Sequence, residues 1–158
     1  MSSKPSSVTL QNLEAAFAGE SMANRKYLFF AQRCRELGAV EVAKVFEGTA
    51  EQETMHAFGH LELLFPPSEL TIEKMLQLAI DGETYEFTEM YPRFRHLAEQ
   101  EGQSAAVAEM DQQIAESKEH AQVFRNTLEK AAKRFAALAK VEERHAAHYR
   151  ATLGKVKK

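Results

Sequence analysis

Two segments of the chain repeat each other at a nearly constant offset, and this repeat constrains the fold more than any other feature of the sequence. The repeat pairs like residues with like: Glu20 with Glu83, Glu53 with Glu116, and His56 with His120. The first two pairs lie 63 positions apart and the third 64. Because apolar residues recur at helical spacing in both segments, carboxylates and imidazoles return to one level of a duplicated helix pair. The sequence therefore predicts a two-metal site inside a four-helix bundle.

The apolar spacing predicts long helices, the first four of them separated by glycine or proline and the fifth following the fourth with little or no break. The expected helices cover residues 10–37, 40–64, 71–101, 103–130 and 131–153. Gly38 and Gly102 stand where helices should stop, and Pro66-Pro67 cannot continue a hydrogen-bonded turn. No stretch alternates as a strand would. The predicted fold class is all-α: a four-helix bundle of two internally similar helix pairs, plus a C-terminal fifth helix.

The same pattern divides the chain into three parts. Residues 1–8 are expected to be a disordered tail, with Thr9 as the N-cap of the first helix. Residues 9–130 form the predicted bundle, and residues 131–158 the C-terminal helix with a basic end. Pro92 lies inside the third helix, and the repeat offset changes by one residue near Glu86 and again near Ser117-Lys118. Inserted residues in helices are often absorbed as π-type turns, which we predict at both places.

The bulk composition excludes several classes of protein. A net charge of -3, from 20 basic and 23 acidic residues, gives no basic face for nucleic acid. One cysteine, Cys34, excludes an internal disulfide and a four-cysteine metal site. No leader peptide and no apolar run of membrane-spanning length are recognisable. The expected location is the cytoplasm, with neither nucleic acid nor membrane as a partner.

Glu53-x-x-His56 places a carboxylate and an imidazole one turn apart on one helix face, where both can bind a metal ion. A single such motif occurs by chance on solvated helices. Here it lies among apolar residues, is duplicated, and has Glu20 and Glu83 in register on the partner helices. Four carboxylates and two imidazoles gathered in a core would be costly unless cations compensated their charge. The pattern therefore favours a metal site over an interaction bundle with solvated acidic faces.

These residues resemble the di-iron domain of the rubrerythrins, in the ferritin-like superfamily. The resemblance rests on Gly19-Glu20-Ser21-Met22-Ala23, on Glu53-x-x-His56 and on the run from Glu83 to Pro92, and it covers about residues 9–129. The strong internal likeness of the two halves resembles the relatives called symerythrins. The resemblance implies a ferritin-like bundle with these metal ligands: Glu20, Glu53, His56, Glu83, Glu86, Glu116 and His120. It also implies that Glu53 and Glu116 bridge the metals.

The resemblance implies a chemistry as well. It implies two iron ions that reduce hydrogen peroxide, or dioxygen, in defence against oxidative stress. Carboxylate oxygens and imidazoles would also suit manganese or zinc. Tyr27 is expected to donate its hydroxyl to a ligand carboxylate, and Glu86 to move on and off the metal. The rubredoxin module of rubrerythrins needs four cysteines, so the electrons are expected from a separate, rubredoxin-like donor protein.

Three alternatives remain open at this point. On the fourth helix, Glu116 and His120 are four residues apart, and Glu119 competes with Glu116 as the ligand. Glu142 and His145 repeat the three-residue spacing and could complete the site in place of Glu116 and His120. The function could also be iron binding or ferroxidase activity without a peroxidase role. We expect a homodimer, which would favour the redox enzyme, whereas a large shell would favour iron storage.

Overall fold

The computed structural model describes residues 7–156, without the side chains at 154 and 156, and all regular structure within that range is helical. The elements are α1 (Val8–Glu36), α2 (Val40–Leu64), a 3-10 turn (Pro67–Glu69), α3 (Ile72–Tyr85), a π-helix (Glu86–Met90), α4 (Tyr91–Gln100) and α5 (Ser104–Val156). The predicted all-α class is confirmed. None of the described helices has the length and apolar character needed to cross a membrane.

The first helix starts earlier than the sequence predicted. Its N-cap is Ser7, not Thr9, and the Ser7 hydroxyl accepts a hydrogen bond from the Leu10 N–H at 3.2 Å. Both residues are good caps, and Ser7 prevails because Val8 and Thr9 can already adopt helical geometry. The predicted tail therefore overlaps helix α1 at Val8, and residues 1–6 lie outside the described part of the chain.

The chain divides into two compact units, Met1–Leu70 and Thr71–Lys158. In the first unit α1 packs on α2, and in the second α3, the π-helix and α4 pack on α5. The repeated halves are thus two helical hairpins, as the two internally similar pairs predicted. Small side chains allow close approach in the first hairpin, where the buried residues include Ala31, Ala43, Ala50 and Ala57. In the second hairpin Ser117 and Ala121 are the most deeply buried.

Both hairpins turn at a glycine with positive φ, which is 76° at Gly38 and 70° at Gly102. In each turn, the N–H of the residue after the glycine donates a hydrogen bond to a carbonyl near the end of the preceding helix. The Ala39 N–H donates to the Cys34 carbonyl at 2.8 Å, and the Gln103 N–H donates to the Ala98 carbonyl at 2.9 Å. This geometry disfavours any side chain at the glycine position. The predicted stops at Gly38 and Gly102 are confirmed.

Replacing Gly38 with alanine is expected to lower the free energy of unfolding by roughly 1 kcal/mol, because a Cβ is strained at positive φ. The space around Gly38 is open, so no steric clash would add to this cost. Gly48 offers a matched control: it lies inside α2, also with open space around it, and Gly48→Ala should stabilise the chain by about 0.5–1 kcal/mol. Urea denaturation measures both changes, and equal effects would contradict the assignment of the turn.

The π-type turn predicted near Glu86 is confirmed, since residues Glu86–Met90 form a π-helix just before Pro92. Pro92 has no N–H and would clash with the preceding turn of a regular α-helix, and the wider π geometry relieves this conflict. The second π-type turn, predicted near Ser117-Lys118, is wrong. Helix α5 is α-helical there, and Glu116 and His120 still share a face because residues four apart are neighbours on an α-helix.

The predicted fourth and fifth helices form one continuous helix of 53 residues, α5. No glycine or proline interrupts the sequence between Ser104 and Leu153, so nothing breaks the hydrogen-bonded ladder. The helix also passes the predicted stop at Gly154 and ends at Val156. The last two residues of the predicted basic end, 157 and 158, lie outside the described residues.

Candidate metal centre

In the first unit, α1 and α2 bring Glu20, Glu53 and His56 together. One ligand atom from each lies within 4.8 Å of the others. His56 Nδ1 is 2.9 Å from Glu53 Oε2 and 4.0 Å from Glu20 Oε2. The side chain of Glu53 is 16% exposed, that of Glu20 31% and that of His56 58%. The trio therefore combines a largely buried carboxylate with an imidazole that remains accessible to solvent.

The two carboxyl groups of this trio share one hydrogen bond. The pKa of Glu20 is raised, first because its carboxyl bonds to Glu53 and then because of partial burial. The pKa of Glu53 is lowered, because it accepts hydrogen bonds from Glu20 and from His56. As the pH falls, Glu20 therefore takes up a proton before Glu53 does. Two ionised carboxylates this close repel each other unless a proton or a cation lies between them.

In the second unit, α3 and α5 bring Glu83 towards His120. His120 Nδ1 lies 3.4 Å from Glu83 Oε2, and the side chain of Glu83 is 22% exposed. Glu83 Oε2 itself is buried and has no hydrogen-bond partner among the described residues. A buried carboxylate oxygen with no donor is costly, and such groups call for a physical explanation. A bound cation would satisfy it.

Two further acids of the predicted site lie in the same unit. The buried Ser117 hydroxyl donates to Glu86 Oε2 at 2.9 Å. Glu116 is half-buried and accepts from Gln112 Nε2 at 2.7 Å, whereas Glu119 is exposed. Of the two candidates on α5, Glu116 is thus the one that faces the protein.

Glu142 and His145 are far from this group. Both lie on α5 with His120, and at 1.5 Å rise per residue Glu142 is about 33 Å beyond His120 along the helix. Their side chains are 76% and 60% exposed, with 4.0 Å between Glu142 Oε1 and His145 Nδ1. Within the second unit, the two residues do not reach Glu83.

Tyr27, predicted to donate to a ligand carboxylate, packs its ring against Phe46 in the first unit, with ring centroids 5.9 Å apart. Its bond to a carboxylate stays a prediction. Tyr91, which matches Tyr27 in the repeat, lies near the acids of the second unit. Its pKa is raised by burial and by the negative charges of Glu86 and Glu83, so its hydroxyl keeps its proton.

Sequence reasoning missed three residues that the structure places beside these groups. Ser117 bonds to Glu86, Tyr91 lies close enough to Glu83 and Glu86 for their charges to raise its pKa, and His60 lies near Glu20. A signal existed for two of them. Tyr91 is the repeat partner of Tyr27, and His60 is one turn beyond His56 on α2. Ser117 had no such signal, because one small polar residue inside a helix fits many roles.

The donor atoms of the two units have the same chemistry. Each unit offers carboxylate oxygens and one imidazole nitrogen, with no sulfur ligand among them. Such a set suits divalent iron, manganese or zinc. The carboxylates and imidazoles can bind metal ions. Glu20 can take up or release a proton, and the Tyr91 hydroxyl can donate a hydrogen bond.

The chain is similar to known proteins over most of its length. A model of the rubrerythrin family matches residues 11–128. Nigerythrin from Nitratidesulfovibrio vulgaris is 38% identical over 111 residues, which cover 63% of this chain and 55% of nigerythrin. Rubrerythrin from Porphyromonas gingivalis is 36% identical over 161 aligned positions, which cover 95% of this chain and 68% of that protein. A solved structure of nigerythrin in its fully reduced, all-ferrous state gives a TM-score of 0.41 at 31% identity, covering 83% of this chain and 71% of that one.

Proposed function

The chain belongs to the rubrerythrin family of di-iron redox proteins, and we propose that it reduces hydrogen peroxide with electrons from a separate donor protein. The chain spans just over half the length of nigerythrin, so the activity of the whole relative is carried over here only as a proposal. The observation that carries the proposal is the gathering of Glu20, Glu53 and His56 within 4.8 Å, at positions that recur in the second hairpin.

The residues present fit bound iron. Glu83 Oε2 is buried without a hydrogen bond, although His120 Nδ1 lies 3.4 Å away, and a cation bound by both groups would satisfy it. The neighbouring carboxyls of Glu20 and Glu53 repel each other when both are ionised, and a metal ion would neutralise that charge. We therefore propose these seven residues as iron ligands: Glu20, Glu53, His56, Glu83, Glu86, Glu116 and His120.

Two bound ferrous ions would supply the two electrons that, with two protons, convert hydrogen peroxide to two molecules of water. The side chains of this chain would hold and orient the reactants. The Tyr91 hydroxyl keeps its proton beside Glu83 and Glu86, where it can donate a hydrogen bond. Ser117 holds Glu86 in one position, and we propose that Glu86 leaves this bond when it binds metal.

The proposed partners follow from the same assignment. The 158 residues contain one cysteine, so this sequence does not itself supply a four-cysteine iron centre for electron delivery. We propose a rubredoxin-like protein as the donor, hydrogen peroxide as the substrate with dioxygen as a slower one, and the cytoplasm as the location.

Anaerobic stopped-flow spectroscopy tests the proposed reaction. The reduced, iron-loaded protein is mixed with hydrogen peroxide in one experiment and with dioxygen in another. We expect rapid oxidation by peroxide and slower oxidation by dioxygen. Unchanged spectra with both oxidants would contradict the redox function. Faster oxidation by dioxygen, together with a large multi-subunit particle on a sizing column, would favour iron oxidation and storage instead.

Glutamine substitutions on α5 distinguish Glu116 from Glu119 as the ligand. Glu116→Gln is expected to weaken iron binding by at least about tenfold, because loss of a ligand should cost as much as loss of its supporting contacts. Glu119→Gln changes the same charge at an exposed position and should leave iron affinity unchanged. Ferrous titration under anaerobic conditions measures both. The reverse order of effects would assign the ligand to Glu119.

A further inference from the structure

The last part of α5 carries an apolar face that continues beyond the hairpin. Helix α3 begins at Ile72, which lines a groove of about 410 Å³ together with Leu128 and Phe135 of α5. Beyond this groove the same face of α5 continues for several turns. Its large apolar side chains are exposed: Phe135 by 55%, Leu138 by 50%, Tyr149 by 71% and Leu153 by 56%.

These residues follow the seven-residue repeat of a coiled coil. Leu128, Phe135, Glu142 and Tyr149 recur every seven positions, and so do Ala131, Leu138, His145 and Thr152. The two series form the a and d positions of one seam. Beside the seam, alanine recurs at 132, 139 and 146, so a second helix could approach closely. The opposite face is charged, with Lys133, Lys140, Glu143, Arg144 and Arg150.

The centre of the seam holds two polar residues, Glu142 and His145. The 4.0 Å between Glu142 Oε1 and His145 Nδ1 is too long for a hydrogen bond, and it is the closest polar contact of either group among the described residues. Glu142 is 76% exposed and His145 60% exposed, so both are hydrated in the single chain, and each would need a polar partner once the seam closed. They also limit which partner the seam can accept.

We propose that this face, residues 131–153, binds a second copy of the same chain in an antiparallel, two-fold symmetric helix pair. In an antiparallel pair, a positions oppose d positions. Centring the pair between Glu143 and Arg144 sets Glu142 of one copy against His145 of the other, and this contact occurs twice. The same register sets Leu138 against Tyr149 and Phe135 against Thr152.

Charge selects this arrangement over the parallel one. In a parallel pair in register, each Glu142 would face the other Glu142, and two like charges would meet in the seam. In the antiparallel pair, every carboxylate meets an imidazole, which can donate an N–H to it. A two-fold interface must be self-complementary, and this face meets that condition. The register also sets Leu153 of one copy beside Ala132 of the other, next to the groove at Ile72.

Charge exchange in the intact 158-residue chain tests the proposal without any reference to iron. Glu142→Arg would face His145, and His145→Glu would face Glu142, so each variant alone should weaken self-association by at least about tenfold. An equimolar mixture of the two variants restores an opposite pair at one contact and a native pair at the other. Sedimentation velocity should therefore show the wild-type species again in the mixture. Glu143→Arg, on the outer face, is the matched control and should sediment as wild type.

Two outcomes would overturn this inference. One is that Glu142→Arg and His145→Glu each sediment as wild type at every concentration. The other is that the mixture stays as small as the single variants. Circular dichroism of each variant, with unchanged helicity, ensures that a smaller species reflects lost pairing and not unfolding.

Discussion

Glu53→Gln is expected to abolish iron binding by the first hairpin and to lower the rate of peroxide-dependent oxidation by about 100-fold or more. Glu53 is the most buried of the three ligand candidates in that unit and accepts bonds from both others. Glutamine keeps the shape but removes the charge. Since losing a contact that merely supports a ligand costs about 10–100-fold in metal affinity or activity, losing the central carboxylate should cost at least as much.

The matched control for this substitution is Glu51→Gln. Glu51 lies on the same helix, α2, but is exposed, so it changes the net charge equally without touching the trio. Iron content and stopped-flow rates should match those of the unaltered protein. Iron binding that survives in Glu53→Gln, at the affinity of the Glu51 control, would remove Glu53 from the ligand set.

Glu83→Gln is expected to have opposite effects on the metal-free and the iron-loaded protein. In the metal-free protein it replaces a buried carboxylate oxygen that accepts no hydrogen bond with a neutral group, which should raise the free energy of unfolding by about 1 kcal/mol. For a chain of this size, the melting temperature should rise by about 2–4 °C. In the presence of ferrous iron the variant should gain less stability than the unaltered protein, since a ligand stabilises only the state that it binds.

Thermal denaturation with and without ferrous iron, under anaerobic conditions, measures both effects. Glu89→Gln serves as the control, because Glu89 lies in the π-helix close to Glu83 but is exposed. It should melt as the unaltered protein does under both conditions. A metal-free Glu83→Gln protein that melts at a lower temperature, yet is stabilised by iron to the full extent, would refute a cation-binding role for Glu83.

Most of the fold followed from periodicity and from a few special residues. The bounds of α2 were predicted as observed, because Gly38 and the Pro66-Pro67 pair leave little choice at either end. The π-helix followed from Pro92 and an inserted residue. The start of α1 was missed because Ser7 and Thr9 are both good caps. The false π-type turn in α5 arose because sequence spacing cannot tell whether two ligands must be three or four residues apart.

The candidate site was predictable to the extent that it is duplicated. The repeat identified Glu20, Glu53 and His56, which the structure brings together. It did not identify Ser117, whose contact with Glu86 joins residues 31 positions apart on different helices. Such a contact depends on how two helices pack, and a single sequence does not record that. The repeat of Glu-x-x-His at Glu142 and His145 shows the converse, since the same motif lies on an exposed face, about 33 Å along α5 from His120.

The most direct test of the account is the number of ferrous ions that the metal-free protein binds under anaerobic conditions. Titration followed by elemental analysis of the desalted protein gives this number. We predict two ferrous ions per chain, bound through the acids and imidazoles of both hairpins. A protein that retains no iron at micromolar concentrations would contradict the account. In that case no bound cation would compensate the charge of the buried Glu83 oxygen or of the neighbouring carboxyls of Glu20 and Glu53.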